Sequence, residues 1–161
     1  MAGNIQTEFF MRAVVQRVSE ASVAVEGRLK SSIGAGLLVF LGIEGGDTAD
    51  DIDWLARKIP QIRIFRDGED KMNLSVQDIG GGILLISQFT LFGNLKKGTR
   101  PSFNHAAPPE IAIPIYEAFI KALEQNFGKT VATGEFGARM EIRAVHNGPV
   151  TLFLDTKDKR L

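Results

Sequence analysis

Hydrogen-bonding side chains gather at one point in the chain, SQFTLFG, where Ser87, Gln88 and Thr90 end the apolar run GGILLI and are interleaved with Phe89. A hydroxyl attacks an acyl carbon efficiently when a base takes its proton and an acid orients that base. Neither Ser87 nor Thr90 sits in a GxSxG elbow, and the imidazoles on offer are His105 and His146. Three readings stay open. Ser87 or Thr90 works with His105 as a serine-type esterase, or the polar side chains cap the end of a strand, or the backbone N–H groups of the segment are the catalytic equipment. The third suits an ester that is already activated, for which placement and donors aimed at the developing oxyanion supply much of the rate.

Two further segments have chemical content. In HNGPVT, at 146–151, Gly148-Pro149 is either a turn ahead of a strand or a cis bond, which turns neighbouring carbonyl oxygens nearly parallel so that they can hold an ammonium or a polarised C–H. In NLKKGTRPSF, Lys96, Lys97 and Arg100 form either a solvated loop or a grip on phosphates beside the SQFT segment. Such a grip has to be local, because 19 basic and 19 acidic residues cancel and no net field draws the molecule to a polyanion or an anionic membrane.

Other chemistries lack their parts. With no cysteine there is no disulfide framework, thiolate zinc site or cysteine nucleophile. His105 and His146 lack HxxxH or HxxEH spacing, so no metal is expected. GxGxxG after a strand and GxxxxGK[ST] are absent, and no cofactor is expected either.

The elements that must position these residues follow from periodicity. RAVVQRV (12–18) and ASVAVEG (21–27) read as a hairpin or neighbouring strands, and IGAGLLVFLGIE (33–44), apolar on successive residues, as a central strand covered on both faces. GDTADDIDWLARKI (46–59) changes to helical spacing behind acidic Asp47, Asp50 and Asp51 and is expected to end near Pro60. After the turn RDGEDK, residues 80–92 form another strand. In EIAIPIYEAFIKALEQNFG, Ile111, Ile115, Phe119, Leu123 and Phe127 mark the inner face of a second helix, with Pro114 in or near its first turn. RMEIRAVHN and PVTLFLDT read as two strands parted by Gly148 and Pro149. The expected fold is a β-rich α/β domain at 11–161, a curved or barrel-like sheet with two main helices. Residues 1–10 are read as an extension outside it, a leader, an alternative start before Met11 or a remnant. Lacking a signal peptide and an apolar run of about 18 residues, the protein is expected to be soluble and cytoplasmic.

Taken together, MRAVVQRVSEASV (11–23), KMNLSVQDIGGGILLISQFTLFG (71–93), KKGTRPSFNHAAPP (96–109) and NGPVT (147–151) closely resemble the D-aminoacyl-tRNA deacylase family, formerly called D-tyrosyl-tRNA deacylase. The likeness covers 11–156. It implies a homodimer that hydrolyses the ester between a D-amino acid and the 3′-terminal adenosine of tRNA, with glycine on tRNA also accepted. It also implies that Ser87, Gln88, Phe89 and Thr90 lie beside the scissile ester, with either Thr90 as nucleophile or backbone groups near Phe89 and the substrate's own 2′-hydroxyl in the main role. Gly148 and Pro149 correspond to a cis Gly-Pro motif that reaches the active site of the opposite subunit and rejects L side chains by collision. Arg17 corresponds to an arginine that holds that loop, and Met140 to a pocket position. His146, Asn147 and Thr99 depart from the common family pattern. The competing reading is a non-catalytic module that binds an RNA end through the basic loop and Phe89, Phe92 and Phe103.

Overall fold

The computed structural model describes residues 11–45 and 49–157. The extension at 1–10, the expected start of the first helix at 46–48 and the end of the tail at 158–161 lie outside the described residues.

The first strand is longer than its two valine-rich pieces suggest. β1 runs unbroken from Arg12 to Val25, so 12–18 and 21–27 are not a hairpin. The hairpin lies one step later. Glu26 and Gly27 take φ of 52° and 77°, the left-handed pair that suits a two-residue turn between twisted strands, and β2 (Arg28–Ile33) returns antiparallel along β1.

β3 (Gly36–Gly42) pairs with the other half of β1. Helix α1 (Ala49–Lys58), a 3-10 turn at Ile59–Gln61 and a small hairpin of β4 (Phe65–Arg66) and β5 (Met72–Leu74) then form the crossover to β6 (Gly82–Ser87). β6 lies parallel to β3, and such a pair requires a crossover of this kind. Helix α2 (Pro109–Phe127) leads to β7 (Ala132–Thr133), which extends the sheet beyond β6. β2 curls toward β7, where Ser31 Oγ–H donates to Thr133 O at 2.7 Å, and the sheet becomes a nearly closed barrel.

β8 (Met140–Asp155) lies along the remaining edge of β1. The two strands expected there are one, and Gly148 and Pro149 sit in a bulge within it. From Gln16 to Val18, two steps along β1, β8 takes five, from Thr151 to His146. Arg17, without a β8 partner at that point, directs its buried guanidinium to the bulge.

β3 and β6 are apolar on successive residues because each face has its own core. Leu37, Val39, Leu41, Ile83 and Leu85 pack toward the helices with Leu55, Phe119 and Leu123, while Leu38, Leu84 and Ile86 meet Val18 and Val23 inside the barrel. The inner face of α2 is rotated from the expected stripe: Ala112 and Tyr116 are buried, whereas Ile111 is 42% exposed. At 3.6 residues per turn, a strict four-residue spacing drifts by about 40° per step, so a stripe anchored on Phe119 and Phe127 leaves Ile111 on the flank. Pro114 lies inside the helix rather than in its first turn.

Candidate active site

At their C-terminal ends β3 and β6 pair Leu41 with Ser87. One more ladder bond follows, Gln88 N–H to Leu41 O at 2.7 Å, and the chain then coils into a 3-10 turn, Phe89–Phe92. Gly42 permits this, since a Cβ there would stand 2.9 Å from the Phe92 ring and 3.2 Å from Gln88 O. Within the turn, Leu91 N–H and Gly93 N–H donate to Gln88 O and Thr90 O. Among the described residues the N–H groups of Phe89 and Thr90 have no acceptor in the chain, as befits the first donors of a helical turn. Arg12 braces the turn: Nη1 donates to Leu91 O at 2.9 Å, the guanidinium lies 4.8 Å from the Phe92 ring centre, and Nε faces Asp155 Oδ2 at 3.4 Å.

Beside this turn opens a cavity of about 560 Å³. Its walls are mostly apolar, with Leu41, Ile86, Ala112 and Phe136 among them; Ser87 and Gln88 supply polar groups, and Met140 closes one side. Phe89 is 56% exposed and meets Phe103 edge to face, ring centres 5.1 Å apart, so two aromatic rings stand on the lining. Behind the wall, the ring of Tyr116 lies 5.7 Å from that of Phe136, and its hydroxyl donates to Leu85 O at 3.4 Å. Burial pushes the Tyr116 phenol up to about 12, so it stays neutral at physiological pH and acts as a prop.

The expected residues do not all converge. Ser87, Gln88, Phe89 and Met140 line the cavity; Thr90 is not among its lining residues. The Thr90 hydroxyl oxygen accepts from the Gln88 side-chain amide. His105 faces elsewhere, its Nδ1 standing 3.6 Å from the buried Glu44 Oε1, so a hydroxyl–imidazole pair is not assembled. Gly148 and Pro149 form a separate station. Their peptide bond is cis, and the segment is exposed on the outer strand. The buried Arg17 donates from Nε to Asn147 O at 2.8 Å and from Nη1 to Ile64 O at 2.6 Å. Arg17 is paired with Leu37 and Ser87 with Leu41, four residues apart along β3, roughly 13 Å at strand spacing. A chain's own cavity is therefore not where its Gly-Pro bulge lies. Lys96, Lys97 and Arg100 are exposed on a loop closed by the Asn94–Ser102 bridge, shortly after the Phe89–Phe92 turn.

Sequence reasoning missed the cavity walls from α2 and from 136–138. Ala112 and Phe136 have ordinary core identities, and only the tertiary arrangement brings them beside Ser87.

A family profile described as D-Tyr-tRNA(Tyr) deacylase matches residues 14–155. The chain belongs to this family. Proteins named D-aminoacyl-tRNA deacylase from Flavobacterium johnsoniae and Bacteroides thetaiotaomicron are each 54% identical over 149 residues, 92% of this chain and 99% of theirs. One from Chlorobaculum tepidum is 50% identical over the same coverage. A solved structure titled c-Myc DNA Unwinding Element Binding Protein superposes with a TM-score of 0.84 at 41% identity, covering 89% of this chain and 97% of that one. Another, described as a probable eukaryotic D-amino acid tRNA deacylase, gives 0.78 at 18% identity over 91% and 99%, a likeness of fold. The deacylase family is one of hydrolases, so the enzyme reading prevails over the RNA-end-binding module, and the segments that carried the resemblance frame the cavity and the bulge.

Proposed function

We propose that the chain hydrolyses the ester joining a D-amino acid to the 3′-terminal adenosine of tRNA in the cytoplasm, acting as a homodimer without metal or cofactor. The observation that carries this reading is the cavity at the polar end of β6, with the open N–H groups of Phe89 and Thr90 in the turn beside it. Water adds to the ester carbonyl carbon; the N–H of Phe89, the one of the two whose residue lines the cavity, donates to the oxyanion that forms, a device often worth several kcal/mol. The C–O bond to the ribose then breaks, the ribose 3′-oxygen takes a proton, and free D-amino acid and tRNA leave. The neighbouring 2′-hydroxyl of the substrate serves as the proton relay, which fits the lack of an imidazole beside Ser87 or Thr90.

Stereoselection is assigned to Gly148 and Pro149 of the opposite subunit, whose carbonyls surround the α-carbon so that an L side chain collides and a D side chain points away. Rejection by collision need not depend on side-chain identity, and glycine, having no side chain, passes. The exposed bulge, its anchoring by a buried arginine and its distance from its own cavity all favour delivery to a second copy. So does the outer edge of β8, where Val145 and Phe153 are 50% and 46% exposed, since a long uncovered strand invites pairing. Lys96, Lys97 and Arg100 then meet acceptor-stem phosphates.

The test is hydrolysis of D-tyrosyl-tRNA and L-tyrosyl-tRNA by the same preparation. Release of D-tyrosine with the L ester left at its buffer rate is expected; equal rates on both refute the filter, and no acceleration of either refutes the activity.

A further inference from the structure

A second cavity, of about 310 Å³, adjoins the first and is lined by Arg12, Glu44, Phe92, Gly93, Asn94 and His105 among others. Its size is at the lower end of small-ligand pockets. Three chain segments are shared by the two cavities, each lining one and then the other. Leu41 and Ile43 line the first and Glu44 the second; Ser87 to Phe89 line the first and Phe92 to Asn94 the second; Ala106 and Ala107 line the first and His105 the second. The Glu44–Ala106 bridge holds two of these segments together where one cavity gives way to the other. Beyond the second cavity the chain runs directly into Lys96, Lys97 and Arg100. Leu95, on the lining of the second cavity, is followed at once by Lys96, so the second cavity adjoins both the first and the start of that loop.

We infer that the second cavity is a subsite for the nucleotide 5′ to the terminal adenosine, and that Glu44 selects a base with an exocyclic amino group at that position, as cytosine has. This rests on the deacylase reading above. Glu44 is 7% exposed, and a carboxylate is an acceptor with about four lone-pair sites. It accepts from the amino group of cytosine, whereas uracil presents a carbonyl oxygen at the same place and sets two acceptors against each other. His105, at the rim with its side chain 66% exposed, keeps its Nδ1 toward Glu44 at 3.6 Å, and the Phe92 ring supplies apolar wall. Single-stranded RNA ends are commonly read in this way, by base edges and aromatic contact.

The experiment uses one D-amino acid esterified to adenosine, to the dinucleotide CpA and to the dinucleotide UpA. The wild-type protein is expected to show kcat/KM higher on the CpA ester than on the UpA ester by roughly tenfold or more, the discrimination typical of one good base contact, with the difference in KM. Glu44→Gln, whose amide offers both a donor and an acceptor, is expected to bring the two dinucleotide esters to within about twofold of each other. Equal wild-type rates on the CpA and UpA esters, with the adenosine ester turned over, overturn the subsite and leave the deacylase reading standing; that comparison needs no variant. A CpA preference that survives in folded Glu44→Gln overturns the role of Glu44. Failure to hydrolyse any of the three overturns both readings.

Discussion

Replacing Arg17 separates the two stations of the molecule. Arg17 is 2% exposed, and among the described residues its guanidinium pairs with no carboxylate; two carbonyls hold it, Asn147 O at 2.8 Å and Ile64 O at 2.6 Å. Hydrogen bonds from a charged donor contribute roughly 1.5–3 kcal/mol each. In Arg17→Met the Asn147 carbonyl, on an exposed segment, regains water, while the partner of the shorter buried bond is left without a donor. The expected loss is about 2–4 kcal/mol, which for a domain of this length lowers Tm by roughly 5–15 °C. The functional consequence is distinct, because Arg17 lies under the bulge: a Cβ on Gly148 would come within 2.6 Å of Arg17 Nη2. Once that support is gone the 147–149 segment is no longer fixed, and the ratio of D- to L-tyrosyl-tRNA hydrolysis is expected to fall at least tenfold, the equivalent of about 1.4 kcal/mol of discrimination. Arg17→Lys should lie between the two, since one ammonium on a flexible stem does not reproduce a planar fork that reaches two carbonyls. Thermal denaturation and paired D and L assays below the lowered Tm provide the measurement. A destabilised Arg17→Met with an unchanged D-to-L ratio refutes the argument that this arginine positions the filter, and unchanged stability refutes the energetics.

Arg12→Met removes the donor to Leu91 O and the cation over Phe92; because the side chain is part-exposed, a stability loss of about 1–2 kcal/mol is expected, with kcat falling while KM changes less, and unchanged kcat would show that the turn needs no brace. Thr90→Ala is expected to lose less than about tenfold in kcat/KM, against the 10²–10⁴-fold typical of removing a general acid or base; complete inactivity would put the hydroxyl back at the centre of the chemistry. Tyr116 has its native pKa raised from 10.0 to about 12 by burial, so the native state keeps a proton that the unfolded chain gives up. Its contribution is full below pH 10 and is lost as pH rises from 10 to 12; the stability of Tyr116→Phe, followed by urea denaturation, should therefore decline less steeply over that range than wild type, and parallel curves would contradict the assignment.

The strands and helices were legible where a single periodicity governed them. β3 and β6 announced themselves by apolar residues in succession, and the structure supplies the reason, a core on each face. Boundaries failed where a side chain from elsewhere intervened. Nothing local in RAVVQRVSEASVAVEG says that Ser19 and Glu20 lie within one strand, and nothing in HNGPVT says that β8 continues through the proline; there the Asn147 carbonyl is held by Arg17 from the neighbouring strand. Similarly, Ser87 and Gln88 were visible as polar residues at a strand end, while Ala112 and Phe136 were indistinguishable from filler until the fold set them on the same cavity.

By itself, the sequence determined which chemistry was available: no thiol, no metal spacing, no phosphate cradle, a polar strand end and a Gly-Pro pair, with family segments in a fixed order along the chain. Residue types and their spacing carry that information directly. The tertiary structure alone decided that His105 faces Glu44 instead of Thr90, and that the Gly-Pro bulge stands on a different part of the barrel from its own cavity. Those outcomes depend on strand register and on buried side chains contributed by residues distant in the chain, whose positions are fixed by packing across the whole sheet rather than by any local pattern.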